Sequence, residues 1–184
     1  MQIATFTSRR CTEMGDVELR FYEILIREEI ENLCENGRFL QMASYIQHGD
    51  ISVFEHSVGV AYMSVFIARS LHVKLHHMVL IRGALLHDYF LYDWHEKDRR
   101  HCLHGLRHPR LAMRNACEDY ELTKREKNII LRHMFPLTVV PPTCREAWIV
   151  CLADKICAVL ETLHLSKRRY REYFPMALRE SYMR

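Results

Sequence analysis

SVFEHSVGVAYMSVFIARSL, residues 52–71, is the stretch on which the fold turns. It opens with Ser52-x-x-Glu55, the pattern in which a hydroxyl and a carboxylate satisfy each other's free backbone N–H groups at a helix start. From there His56, Val60, Met63, Ile67 and Leu71 recur at helical spacing and form one stripe that must face a core. A polar imidazole heading an apolar stripe points inward. The same helical period runs outward in both directions. Leu19, Tyr22, Ile26, Ile30 and Leu33 make an amphipathic first helix over about 17–36, with Gly37 as its stop. Thr123-x-x-Glu126 and Thr143-x-x-Glu146 repeat the capping signature, and Pro109 suits the first position of a helix, which puts His108 at a helix start. With only 6 Gly and 5 Pro, and no sustained alternation of apolar and polar residues, the chain reads as all-α.

Six residues fall in the order His56, His87 with Asp88, His108, His133, Asp154. His87 follows Leu80 and Ala84 on an apolar stripe, and Asp154 sits among Ala147, Val150, Cys151 and Ala158. A carboxylate in apolar surroundings must be paired, neutralised or metal-bound, because leaving it alone costs several kcal/mol, roughly. Imidazole nitrogen and carboxylate oxygen are the donors that divalent transition metals prefer, and four His with two Asp are enough for two ions. For His56 alone a hydrogen-bonded core histidine is as good a reading as a ligand; for the ordered set it is not.

This order, with the stretches LLHD (85–88), HPRLA (108–112), ILRHMFP (130–136) and CLADKICAVLE (151–161), resembles the HD-domain superfamily of metal-dependent phosphohydrolases, in particular a small single-domain bacterial subgroup. The resemblance implies a single HD-domain helical bundle with its core at about 52–161, a helical extension over 1–51 and a helical tail over 162–184. It implies that His56, His87, Asp88 and Asp154 hold one metal and that His108 and His133 complete a second site, with Asp88 bridging. It also implies hydrolysis of a phosphate ester, a small nucleotide or another phosphomonoester. Fe, Mn, Co, Ni or Zn suits such ligands better than Mg. Two better-defined relatives are set aside: no GYP follows the HD pair, and Tyr89, Phe90, Leu91 and Tyr92 stand where guanosine-tetraphosphate hydrolases carry HDxxED. Two alternatives stay open, a di-iron oxygenase that uses the same four His and two Asp, and a binding module whose metal is structural. The complete ligand set disfavours the latter.

Several residues around this set carry expectations of their own. The polar stretch Asp93–Arg107, DWHEKDRRHCLHGLR, reads as a loop and short helix across the mouth of the site, where Lys97, Arg99, His104 and Arg107 can contact an anionic substrate. A solvated surface is the alternative for each. His104 is one helical turn before His108, although Gly105 and Pro109 argue against a continuous helix there. Asp93 is a candidate general acid or base, with a loop or capping role as its rival. Lys155, next to Asp154, is a candidate phosphate contact, although a neighbouring helical residue is turned away by about 100°.

Composition bounds the rest. At 184 residues and a net charge of +3, the chain is long enough for a sizeable core and too weakly basic to require nucleic acid. SKRRYREYF (166–174) reads as a solvated basic helix face. The longest charge-free stretch, Ser57–Ala68, is short of the roughly 20 residues that span a membrane, and the first residues lack the apolar core of a signal peptide. Seven cysteines without a CxxC pair imply reduced thiols and a cytoplasmic location, with Cys151 and Cys157 as core filling. The expected partner is a small phosphate-bearing anion, with no membrane; oligomeric state is left open.

Overall fold

The computed structural model describes the backbone of residues 3–93 and 104–163, and the side chains of residues 20–47, 49–93 and 105–163. Six α-helices make up most of this: α1 (Ile3–Asn36), α2 (Val53–Ser70), α3 (His77–Leu86), α4 (His104–Asp119), α5 (Lys124–Arg132) and α6 (Arg145–Thr162). A 3-10 helix (Phe39–Ser44) and a small hairpin of β1 (Ile46–His48) and β2 (Ile51–Ser52) link α1 to α2. The hairpin departs from the all-helical expectation, and its five residues are too few to alternate visibly. Gly49 takes the positive φ, 61°, that tight hairpin turns require.

α2 is the central helix and packs chiefly against α3 and α6, while α5 bridges α3, α4 and α6. His56, Val60 and Ile67 are buried as the stripe required, but Leu71 is exposed because it is the residue on which α2 ends. The capping boxes at Ser52/Glu55 and Thr123/Glu126 are both complete. The third is not formed. α6 begins at Arg145 after Cys144, and the buried Glu146 carboxylate instead accepts from the His76 backbone N–H (3.0 Å), at the start of α3, and from Arg125 (3.3 Å). The carboxylate bridges three elements in place of capping its own helix.

Two more expectations change. α4 spans His104–Asp119, so His108 and Pro109 lie inside it; Pro109 lacks the N–H that would bond to the Gly105 carbonyl, and its ring crowds that carbonyl. α1 begins at Ile3, well before position 17, and its buried face carries Tyr22, Ile26, Ile30 and Leu33 as expected. Gly37 does follow the end of α1, but for reasons of size. A Cβ there would sit 2.3 Å from the Tyr120 hydroxyl, which donates to the orphan Leu33 carbonyl at 2.7 Å. Likewise a Cβ on Gly83 would meet the Ile129 side chain at 2.3 Å, so a small residue sets the spacing of α3 and α5.

The end of α1 is locked to α4 by Asp119, which receives a forked contact from Arg38 (2.8 and 2.9 Å) and the Tyr89 hydroxyl at 2.6 Å. Partial burial pushes the Asp119 carboxyl up, but the Arg38 and Tyr89 hydrogen bonds outweigh it and hold the group below its ordinary value. Such a group adds stability above its unfolded pKa, about 3.9, and loses it as pH falls through the lower folded value. Asp119→Asn should therefore destabilise at neutral pH by about 1–2 kcal/mol, discounted because Arg38 is partly exposed, and by progressively less below pH 4. Urea unfolding at pH 7 and pH 3 measures it; an equal loss at both would assign the effect to shape and not to charge.

No helix among the described residues is long and apolar enough to cross a membrane. The described cysteines, including the buried Cys151 and Cys157, form no disulfide.

Candidate metal centre

The ordered residues converge. His56 comes from the first turn of α2, His87 and Asp88 from the end of α3, His108 from α4, His133 from the end of α5 and Asp154 from the middle of α6. All six are buried. They form two groups, His56/His87/Asp154 and Asp88/His108/His133, within each of which one ligand atom per residue lies within 4.8 Å of the others. Asp88 faces both. Its Oδ2 is 3.5 Å from His87 Nε2 and 3.9 Å from His56 Nε2, whereas its Oδ1 is 3.1 Å from His108 Nε2 and 3.3 Å from His133 Nε2. One carboxylate thus presents one oxygen to each group.

Local structure aims the imidazoles. His87 and His133 cap the C-termini of α3 and α5, and each places Nδ1 on a carbonyl three residues back, Ala84 at 2.7 Å and Ile130 at 2.8 Å. Each ring thereby satisfies an orphan carbonyl of its own helix, carries its proton on Nδ1 and turns the Nε2 lone pair into the cluster. His56 Nδ1 lies 2.8 Å from the buried carboxylate of Glu161, the carboxylate–histidine arrangement that orients a metal-binding imidazole. Glu161 was not singled out in the sequence, yet it stands two helical turns after Asp154 on the same face, a spacing that could have found it.

The electrostatics describe a site built around positive charge. Burial lowers the His56 pKa, but hydrogen bonds with Asp154 and Glu161 overcome it and hold the imidazole well above its ordinary value; His87 is raised against burial by Asp88 and Asp154. Burial would raise Asp88 and Asp154, yet the surrounding imidazoles hold both well below the carboxylate range. His133 is lowered by burial and stays neutral. Its Nε2 stands 2.7 Å from His108 Nε2. His87 Nε2 and Asp88 Oδ1 are buried and make no hydrogen bond of sound geometry, although Asp88 Oδ2 stands 3.5 Å from the first and His108 Nε2 3.1 Å from the second. A nitrogen in one group and a carboxylate oxygen in the other, both buried and short of a sound hydrogen bond, are donors that suit a divalent cation in each.

A cavity of about 560 Å³ opens on the cluster, lined by Asp88, His108, Asp154, Gln47, Gly105 and Lys155 and by the apolar Met134, Pro136, Leu137 and Ala158. Lys155 lines it but spends its ammonium on the carbonyls of His133 (2.9 Å) and Cys151 (3.1 Å). Asp93 is half-buried at the edge of the described chain, and Arg107 is exposed on α4. The His104 backbone opens α4 one turn before His108; its side chain, with Lys97 and Arg99, lies outside the described residues. Asn115 fixes the turn after Asp88 by donating to the carbonyls of Tyr89 (3.1 Å) and Phe90 (2.9 Å), and Leu91 follows with a positive φ of 54°. Neither Asn115 nor Gln47, whose amide donates to Asp88 Oδ2 at 2.7 Å, had been marked by periodicity.

If Glu161 orients His56 as this geometry implies, Glu161→Gln should weaken divalent-metal binding about 10–100-fold with the fold intact, as loss of such outer partners generally does. Competition titration against a chromophoric chelator reads it; unchanged affinity would reduce Glu161 to a packing residue.

Residues 53–159 match the family model for the HD domain. No curated protein and no solved structure matches the chain.

Proposed function

Because the chain belongs to the HD-domain family, we propose that it is a metal-dependent hydrolase of a small phosphate ester, a nucleotide or another phosphomonoester, working with two divalent ions of the Fe, Mn, Co, Ni or Zn type. The observation that carries this is the single Asp88 carboxylate set between two buried groups of nitrogen and oxygen donors. In this reading His56, His87 and Asp154 hold one ion, His108 and His133 the other, and Asp88 joins them. Bound there, such ions lower the pKa of water from about 15.7 to about 7 and offset charge on both sides of a displacement.

The chain's own residues do the rest. Ala84, Ile130 and Glu161 fix the rings; Asn115 and Gln47 fix the turn and the carboxylate; and Met134, Pro136, Leu137 and Ala158 supply a wall that excludes water from one side of the cavity. Asp93 is assigned as acid or base for the leaving group, and Lys97, Arg99, His104 and Arg107 as contacts for the phosphate. Lys155 braces the turn at His133 and approaches the phosphate only if that ammonium is released.

A specific observation favours a second reading. Among the described residues the cavity offers one ammonium, already committed to carbonyls, and an otherwise largely apolar wall. A di-iron oxygenase with the same ligands would suit a substrate of lower charge. One experiment separates them: metal analysis of aerobically purified protein, followed by a phosphatase substrate panel run with and without chelator. Chelator-sensitive phosphate release supports the hydrolase. Iron as the sole metal, with oxygen uptake and no phosphate release from any substrate, would replace it by the oxygenase.

A further inference from the structure

Gln47 sits on a three-residue strand with no hydrophobic pattern around it, yet its side chain is 93% withdrawn from solvent, the residue being 7% exposed. Its amide N–H donates to Asp88 Oδ2 at 2.7 Å. The orientation follows from chemistry: the reversed amide would press a carbonyl oxygen against a carboxylate oxygen. With Nε2 committed, Oε1 is left buried and without a hydrogen-bond partner. An aliphatic side chain of similar length would fill this space without burying an unpaired acceptor. A residue retained only for packing has no use for either end of this amide.

The surroundings give it one. Gln47 lines the same cavity as Asp88, His108 and Asp154. Its hairpin runs directly into α2, with β2 ending at Ser52, the cap of the helix that carries His56, and the Val53 N–H bonded back to Tyr45 (2.8 Å). The amide is therefore mounted on the same rigid unit as His56. It pins one oxygen of Asp88 on the His56/His87 side, and the other oxygen is thereby directed at His108 and His133. A carboxylate that is to serve two ions must be kept from rotating about its own bond.

We propose that Gln47 is a positioning residue of the metal centre, which holds the Asp88 carboxylate in its two-sided orientation and so sets how tightly divalent ions are bound. The assignment rests on the two-metal reading given above.

The test uses Co(II) alone, whose visible absorption reports its ligands, titrated into metal-free full-length protein alongside Gln47→Leu and, in case that variant fails to fold, Gln47→Met. Either variant should bind Co(II) about 10–100-fold more weakly, with an altered absorption spectrum, whatever the melting temperature of the metal-free protein does, since one unpaired acceptor goes as Asp88 Oδ2 loses its donor. A purely structural Gln47 would give a lower melting temperature of the metal-free protein and unchanged Co(II) affinity, and that result overturns the proposal alone. Failure of the unaltered chain to bind Co(II) overturns the two-metal reading, and the assignment of Gln47 falls with it.

Discussion

The Asp88→Ala protein should purify with less than half the divalent metal of the unaltered chain and with no turnover above background. Removing this carboxylate leaves the His108/His133 group with two imidazoles and no anionic donor, so the ion there is lost outright. The His56/His87/Asp154 group keeps three donors but loses the charge of the nearby oxygen 3.5 Å from His87, and holds its ion more weakly. At pH 7, water with a pKa near 15.7 supplies far less hydroxide than water with a pKa near 7, so a rate loss on the order of 10³-fold or more is expected. His133→Ala should keep the ion of the first group, and Arg107→Ala, an exposed residue of α4, should keep both. Elemental analysis after dialysis against a mild chelator reads all three. Full occupancy in Asp88→Ala would remove the bridging role.

Adding a saturating divalent ion to metal-free protein should raise its melting temperature by roughly 8–16 °C. An ion present at about 1,000 times its dissociation constant stabilises the folded state by about 4 kcal/mol, and each kcal/mol is worth roughly 2–4 °C in a chain of this size. The effect should be large because the ligands come from five helices and meet only when the bundle is assembled, as with His56 and Asp154, 98 residues apart, so the unfolded chain offers the ion no equivalent site. It should also grow between pH 6 and pH 8, because imidazole must shed its proton to bind metal. Scanning fluorimetry across that range decides the matter, and a shift that is flat or shrinks with pH would point to ions bound at surface carboxylates.

How much of this was visible beforehand differs from residue to residue. The six residues of the cluster were legible through their order, and His56, His87 and Asp154 also because each is a polar residue at an apolar helical phase, a conflict that only a partner or a cation resolves. Ser52/Glu55 and Thr123/Glu126 were legible because capping is local chemistry. Thr143/Glu146 carries the same pattern and fails, since a buried carboxylate goes to whichever unpaired N–H tertiary packing brings to it, here that of His76. Pro109 misled because proline favours the first turn of a helix, whereas here it lies beyond the first turn of α4. Gln47 could not be read at all: on a strand of three residues there is no period, and its meaning comes from Asp88, 41 residues away.

The helices capped by His87 and His133 both end at the cluster that holds the Asp88 and Asp154 carboxylates. A helix C-terminus carries about half a negative charge, which together with these carboxylates favours the raised imidazoles of His56 and His87 while no metal is bound. In the proposed reading, bound ions supply the positive charge that a phosphate ester needs at this cluster. That reading predicts ordered loading, metal first and substrate second, with the charge of the centre and not a moving part deciding what enters.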